Sequence, residues 1–132
     1  MKHAETSEQP NLRSVLALRD VVLARRTRRC FRRHGWEAVT AGSGAEARRL
    51  TEVLRPAVVV LDVELVDESG WLICDKLTRE QPGVRVVLMT PQPTPELTRL
   101  AAFVRACGLV SPEQGCAALV QKALGDCLTA AG

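Results

Sequence analysis

The sequence predicts an α/β fold in which a five-stranded, doubly wound parallel sheet is covered by five helices. Short apolar segments alternate with longer segments of helical spacing, and the connections between them are short. Strict alternation of this kind is typical of a parallel sheet with helices on both faces. The run AVVVL, residues 57–61, contains no polar residue, as expected for a central strand buried on both faces. A chain of 132 residues is long enough for one such core and too short for two.

Five apolar segments are the predicted strands. Each is three to six residues long, and three of the five contain at least two β-branched or aromatic residues, which favours strand over helix. In chain order they are SVLAL, WEAVTA, AVVVL, VRVVLM and GLV.

Helical spacing and capping signals predict the first three helices. The first, VVLARRTRRCFRRHG, has apolar residues on one side and arginines on the other. A capping box formed by Ser43 and Glu46 opens the second helix, which runs to about Leu54. The third, SGWLICDKLTREQPG, ends at a Pro-Gly stop.

The last two helices also begin at recognisable caps. Thr94 caps a helix with Pro95 in its first turn, and this helix is predicted to run to about Cys107. Ser111 and Gln114 form the capping signal of the final helix. Its predicted buried positions are Cys116, Val120, Ala123 and Cys127.

Composition divides the chain into a short leader and one domain. Residues 1–12 are polar and aperiodic and are predicted to be a flexible leader, followed by a domain over residues 13–130. The hydrophobic fraction of 46% and the charged fraction of 25% exclude a disordered or fibrous protein. No apolar run approaches the roughly 18 residues of a membrane span, and there is no signal-peptide pattern, so no membrane span is expected.

The five cysteines do not form a metal or redox motif. Their number is odd, they lie far apart in sequence, and no C-x-x-C pair occurs. Most fall on apolar helical faces, where a thiol behaves as a small hydrophobic group. We therefore expect free thiols and a reducing, cytoplasmic location.

Polar residues follow the predicted strands at the edge where such folds bind ligands. In an open parallel sheet, ligands bind outside the carboxyl ends of the strands. The residues just after the strands are Arg19 with Asp20, Gly42, Asp62 with Glu64, Thr90, and Ser111 with Pro112. Asp62 directly follows the most apolar strand, so this carboxylate is placed where the fold predicts chemistry.

These segments together resemble the receiver domain of two-component response regulators. The resemblance runs from about Ser14 to Leu128 and rests on VLALRD, EAVTAGSGAEA, VVVLDVELVDESGW, VVLMTP and GLVSP in this order and spacing. It implies the flavodoxin-like, receiver-type version of the predicted fold. It also implies a signalling module rather than an enzyme, with a histidine kinase or another signalling protein as its partner.

The resemblance assigns roles to individual residues. It implies that Asp62 is the phosphoacceptor, a carboxylate nucleophile that forms an aspartyl phosphate. It implies a Mg²⁺ site made of Asp20, Asp62 and the backbone carbonyl of Glu64. The hydroxyl of Thr90 is implied to bind the phosphoryl oxygens.

The chain departs from the receiver pattern at four positions. Arg19 stands where the family has a second acidic residue, and Ser111-Pro112 stands where it has a lysine before proline. Leu109 replaces the usual aromatic of the fifth strand, and Val66 replaces a loop proline. We therefore expect weak Mg²⁺ binding, weak phosphorylation of Asp62, and interactions that do not require phosphorylation. We further hypothesise that the guanidinium of Arg19 pairs with Asp62 or Asp20.

Two nucleotide- or phosphate-related alternatives remain open at this stage. GSGAEA fits the dinucleotide fingerprint G-x-G-x-x-A, with Gly42, Ser43 and Gly44 as the candidate phosphate loop. LDVE, residues 61–64, is similar to the D-x-D motif of haloacid-dehalogenase-like phosphatases, although that motif belongs on a first strand.

The first helix carries a third alternative. Six arginines lie within nine residues, and like charges at this spacing repel one another. A solvated helix face is one interpretation; a surface for an acidic protein or for nucleic acid is the other, with nucleic acid not expected. These arginines are Arg25, Arg26, Arg28, Arg29, Arg32 and Arg33.

Overall fold

The structure is a computed structural model that describes residues 10–131, with side chains described through residue 123. Most of the predicted leader, and the predicted burial of Cys127, lie outside this part of the chain. Five strands form one parallel sheet in the order β2-β1-β3-β4-β5, which confirms the predicted fold. The strands are β1 (Arg13–Ala17), β2 (Glu37–Ala41), β3 (Val58–Asp62), β4 (Arg85–Met89) and β5 (Gly108–Val110).

Five α-helices connect and follow the strands. Among the described residues, no helix is long and apolar enough to cross a membrane. The helices are α1 (Val21–Arg33), α2 (Gly44–Leu54), α3 (Gly70–Glu80), α4 (Pro95–Phe103) and α5 (Gly115–Ala131), the last preceded by a 3₁₀ turn at Pro112–Gln114.

The sheet separates two hydrophobic cores. Val59 and Leu61 of β3 pack in the core under α2, α3 and α4. Val58 and Val60 alternate to the opposite face and pack in the core under α1 and α5. Burial of all four valine and leucine side chains explains why this strand has no polar positions before Asp62.

Side chains cap the start of three helices, and the caps at Ser43 and Thr94 confirm the prediction. The carboxylate of Asp20 caps α1, the hydroxyl of Ser43 accepts from the N–H of Glu46, and the hydroxyl of Thr94 accepts from the N–H of Leu97. The side chain of Glu46 accepts from the N–H of Gly42 at 2.8 Å, one residue before the cap. Capping residues in the sequence were therefore sufficient to predict where these helices begin.

Two helix boundaries differ from the prediction. Helix α4 ends at Phe103 instead of about Cys107, because Arg105 adopts a left-handed conformation with φ of 66°. The Ser111 signal opens the 3₁₀ turn, with the N–H of Ser111 donating to the side chain of Gln114 at 2.8 Å. Gly115, with φ of 87°, then separates this turn from α5.

A disulfide corrects the expectation that the cysteines are free thiols. Cys30 of α1 and Cys116 of α5 are bonded, with their Cα atoms 6.2 Å apart. The two helices pack side by side on one face of the sheet, which brings together residues that are 86 positions apart in sequence. Cys74 does follow the expectation: it is a free, fully buried thiol whose pKa is raised to about 12 by burial.

Candidate functional site

A cavity of about 650 Å³ opens at the carboxyl edge of the sheet, where the sequence predicted the site. It brings together the predicted residues Arg19, Asp20, Asp62, Glu64 and Thr90. Ser111 is not among the lining residues, although its neighbour Pro112 is. The other lining residues are Val22, Leu23, Arg26, Val63, Pro91 and Gln92. We refer to this space as the Asp62 cavity.

Asp62 is the last residue of β3, is half-buried and lines the Asp62 cavity. Side chains two residues apart on a strand point to the same face, so the side chain of Asp62 lies on the same face of the sheet as Val58 and Val60, which is the face covered by α1. Its Oδ2 accepts a 2.6 Å hydrogen bond from the backbone N–H of Arg19. Burial raises the pKa of Asp62; the Arg19 hydrogen bond and charge oppose this rise, and the carboxylates of Asp20 and Glu64 add to it.

Asp20 has a structural role that uses one of its two oxygens. Its Oδ1 accepts from the N–H groups of Val22 and Leu23 at 2.8 and 3.2 Å, which caps α1. Capping leaves Oδ2 outside these bonds, on a side chain that lines the Asp62 cavity. The two roles of Asp20, helix cap and site carboxylate, are therefore geometrically compatible.

Arg19 contacts Asp62 through its backbone, not through its side chain. The guanidinium forms its ion pair with Glu64, with 4.0 Å between Nη1 and Oε1, and both side chains are largely exposed. The hypothesis that this guanidinium pairs with Asp62 or Asp20 is wrong, because the side chain projects towards solvent. Its positive charge still acts on the pKa of Asp62.

Thr90 follows β4 and is almost fully buried, with 6% of its surface exposed. Its N–H donates to the carbonyl of Val110 at 2.9 Å, which ties the end of β4 to β5. The residue lines the Asp62 cavity, so its hydroxyl belongs to the same site as the carboxylates. Ser111 is buried as well, but its N–H is engaged by Gln114.

The oxygens near Asp62 fit a Mg²⁺ ion held by few protein ligands. One oxygen each of Asp20 and Asp62 lies outside the backbone hydrogen bonds, and the carbonyl of Glu64 completes the set predicted from the sequence. Mg²⁺ is commonly held by one or two carboxylates together with waters. Within residues 10–123, however, no three His, Cys, Asp or Glu side chains are grouped to hold a metal. The predicted set therefore offers such an ion two carboxylates, those of Asp20 and Asp62.

Gly70 is a site-positioning residue that the sequence analysis missed. A Cβ at this position would overlap the carbonyl oxygen of Asp62 and lie 2.9 Å from Cα of Val63. The N–H of Gly70 also donates to the carbonyl of Val63 at 2.9 Å. The start of α3 thus packs directly against the end of β3, which fixes the backbone that carries Asp62.

Asp67 occupies the place where a dinucleotide would bind. Its carboxylate accepts from the N–H groups of Gly44 and Ala45 at 2.8 and 3.1 Å, at the start of α2. These bonds lower the pKa of Asp67. A dinucleotide pyrophosphate needs those same N–H groups, so the Gly42-Ser43-Gly44 alternative has no free phosphate site.

A carboxylate at the end of the central strand, with a helix-capping acid and a buried threonine beside it, defines a receiver-like class of α/β domain. The response regulator receiver domain family matches residues 19–123 of this chain. The chain belongs to this family. It is a receiver module of two-component signal transduction.

A curated bacterial protein is similar to about half of this chain. The chain is 45% identical over 69 residues to the probable transcriptional regulatory protein TcrX of Mycobacterium tuberculosis, a match covering 52% of this chain and 30% of that protein. The matched region thus spans less than a third of the curated relative.

Solved structures show the same fold at lower identity. A CheY-like receiver domain protein from Methanospirillum hungatei superimposes with a TM-score of 0.81 at 17% identity, covering 89% of this chain and 94% of that one. A Burkholderia pseudomallei response regulator, solved with a phosphorylated aspartic acid, calcium ion and citrate, has a TM-score of 0.77 at 18% identity, covering 83% and 65%.

Proposed function

We propose that Asp62 is the phosphoacceptor of this receiver, that it is phosphorylated slowly, and that the module also makes protein contacts that do not require phosphorylation. The observation that carries the proposal is the composition of the Asp62 cavity. The acceptor, one further acid and the threonine hydroxyl lie together, but an arginine stands in the place of the second acid. Among the described residues no lysine lines this cavity.

The chain's own residues suit attack by a carboxylate. The N–H of Arg19 holds Oδ2 of Asp62, which leaves Oδ1 as the nucleophile. In the transfer, the bond from Oδ1 to phosphorus forms as the bond from phosphorus to the nitrogen of the donor imidazole breaks, and that nitrogen keeps the electron pair. Thr90 supplies a hydroxyl that can donate to a phosphoryl oxygen.

Mg²⁺, when bound, would neutralise the charge that accumulates between the carboxylates and the phosphoryl oxygens. Asp20, Asp62 and the carbonyl of Glu64 would hold it. One acid fewer and the nearby positive charge of Arg19 both oppose the metal, so the reaction is expected to be slow.

The donor in this proposal is a histidine kinase or another signalling protein, and the location is cytoplasmic. Support comes from the receiver family itself and from the related response regulator that was solved with a phosphorylated aspartic acid and calcium. The Cys30–Cys116 disulfide counts against a cytoplasmic location, because such bonds are uncommon in a reducing cytoplasm.

Intact mass spectrometry tests the assignment of the acceptor. The chain is incubated with phosphoramidate and saturating Mg²⁺, alongside Asp62→Asn and the control Asp75→Asn, which removes a carboxylate outside the Asp62 cavity. We expect a slow gain of one phosphoryl group in the unsubstituted chain and in Asp75→Asn, and none in Asp62→Asn. Equal gain in Asp62→Asn would refute the assignment.

A second candidate function, recognition of an acidic protein surface, is favoured by one feature of α1. Five arginines line a shallow groove of about 460 Å³, and no acidic group with a described side chain forms an ion pair with them. We call this the arginine groove; it consists of Arg25, Arg28, Arg29, Arg32 and Arg33.

Salt dependence tests the arginine groove. Exposed charges are screened over about 10 Å at 0.1 M salt, so partner capture that rests on them should weaken steeply as salt rises. Reversing Arg25, Arg29 and Arg32 to glutamate should abolish capture with the fold retained. Nucleic acid is the other candidate ligand; we expect no retardation of DNA or RNA at physiological salt.

A further inference from the structure

Arg26 is the one arginine of the cluster on α1 that lines the Asp62 cavity and not the arginine groove. It lies four residues after Val22 and three after Leu23, and both of those residues also line the Asp62 cavity. Residues at this spacing share one face of a helix, one turn apart. The long side chain of Arg26 therefore starts from the same face of α1 that Asp62 faces across the site.

The lysines with described side chains are placed elsewhere. Lys122 of α5 lies over Gly108, at the start of β5 and so at the opposite end of that strand from the Asp62 cavity. Lys76 of α3 lines a separate cleft together with Arg48. After β5, the Asp62 cavity is bounded by Pro112, which has no charge to offer.

A phosphoryl group on Asp62 would need a positive partner. It carries up to two negative charges and adds to those of Asp20 and Glu64, which line the same cavity. Arg19 already pairs with Glu64, and its backbone holds Asp62. Arg26 is exposed, and no acidic group among the described side chains forms an ion pair with it. Its charge is therefore available for a new anion.

We infer that Arg26 is the cationic partner of the phosphoryl group on Asp62, in the role that the receiver pattern gives to a lysine at the position of Ser111. A guanidinium is permanently charged, and its planar fork of N–H donors matches two oxygens of a tetrahedral anion. The partner is thus supplied by α1 and not by the segment that follows β5. This inference rests on the proposed role of Asp62.

Beryllofluoride, which mimics a phosphoryl group on a carboxylate, provides the test. Its binding at saturating Mg²⁺ is followed by ¹⁹F NMR and by the fluorescence of Trp71, which lines the neighbouring cleft with Glu64 and Thr90. Arg26→Gln should weaken binding by about tenfold or more, the usual effect of losing a charged hydrogen bond. Arg26→Lys should fall between, because it keeps the charge and loses the fork.

Arg29→Gln is the matched control. It removes the same charge from the same helix, but Arg29 lines the arginine groove and not the Asp62 cavity. Binding of beryllofluoride should be unchanged in this variant. Equal loss in Arg29→Gln would mean that the effect reflects total charge, and this would overturn the inference.

A titration with Mg²⁺ alone distinguishes an effect of Arg26 on anion binding from an effect on metal binding. Removing a positive charge beside the carboxylates should leave Mg²⁺ binding to Arg26→Gln unchanged or tighter, which is opposite in sign to the loss expected for beryllofluoride. If the unsubstituted chain binds beryllofluoride and Arg26→Gln binds it equally well, the inference fails while Asp62 keeps its proposed role. If the unsubstituted chain binds beryllofluoride no better than Asp62→Asn does, the inference about Arg26 and the proposed role of Asp62 both fail.

Discussion

The backbone N–H of Arg19 donates to Oδ2 of Asp62 at 2.6 Å, while the guanidinium of the same residue lies 4.0 Å from Glu64. Arg19 thus holds Asp62 through its main chain and changes the charge of the site through its side chain. The main-chain bond does not depend on residue type, whereas the charge does. Substitutions at position 19 can therefore separate geometry from electrostatics.

Arg19→Asp should increase Mg²⁺ affinity by about tenfold, because it adds a carboxylate and removes a positive charge beside Asp20 and Asp62. The N–H bond to Asp62 should survive. Amide shifts of residues 19, 20, 62 and 64 during a Mg²⁺ titration measure the affinity. The control is Arg25→Asp, which makes the same charge change on α1 outside the Asp62 cavity; unchanged affinity in Arg19→Asp would contradict the expectation.

Gly70→Ala should destabilise the fold by about 2 kcal/mol or more, because the new Cβ would overlap the carbonyl of Asp62. Gly83→Ala is the control, since a Cβ there meets nothing within 4 Å. Urea denaturation measures both free energies of unfolding. Equal stability of the two variants would show that α3 does not press on the strand that carries Asp62.

Asp67→Asn should remove a contribution to stability that depends on pH. Because the N–H groups of Gly44 and Ala45 lower the pKa of Asp67 in the fold, its charge stabilises the folded state at neutral pH. This advantage should be full above about pH 5 and disappear as the pH falls below the ordinary carboxyl value of 3.8. Denaturation curves at several pH values test this; a stability difference that is constant down to strong acid would contradict it.

Reduction of the Cys30–Cys116 disulfide should lower the free energy of unfolding by about 4 kcal/mol, because the bond closes a long loop in the unfolded chain. Thermal unfolding with and without dithiothreitol measures the change. A variant with Cys30→Ser and Cys116→Ser should not respond to the reductant. If the unsubstituted chain shows no response either, the bond does not form in solution.

The sheet and the position of Asp62 could be predicted because their signals are local. Apolar runs, helical spacing and caps such as Ser43 and Thr94 are each recognised within a few residues. The carboxyl edge then follows from the parallel order of the strands. The same reasoning could have found Arg26, since its spacing from Val22 and Leu23 places it on the face that meets the site.

The features that could not be predicted depend on contacts between segments that are far apart in sequence. Asp67 meets Gly44 across 23 residues and Cys30 meets Cys116 across 86, and neither pair has a spacing rule in sequence. The requirement for Gly70 arises only from how tightly α3 packs on β3. The direction of a side chain could not be predicted from the sequence either. For this reason the guanidinium of Arg19 was expected to pair with Asp62 or Asp20, whereas it pairs with Glu64.

The rate of phosphorylation as a function of Mg²⁺ tests the central claim most directly. Intact mass is followed over time with phosphoramidate across a series of Mg²⁺ concentrations, for the unsubstituted chain and for Arg19→Asp. We predict slow modification on Asp62 that keeps rising with Mg²⁺ beyond the low millimolar range, and faster modification in Arg19→Asp. Rapid, complete modification of the unsubstituted chain at low millimolar Mg²⁺, with no gain in Arg19→Asp, would contradict the account.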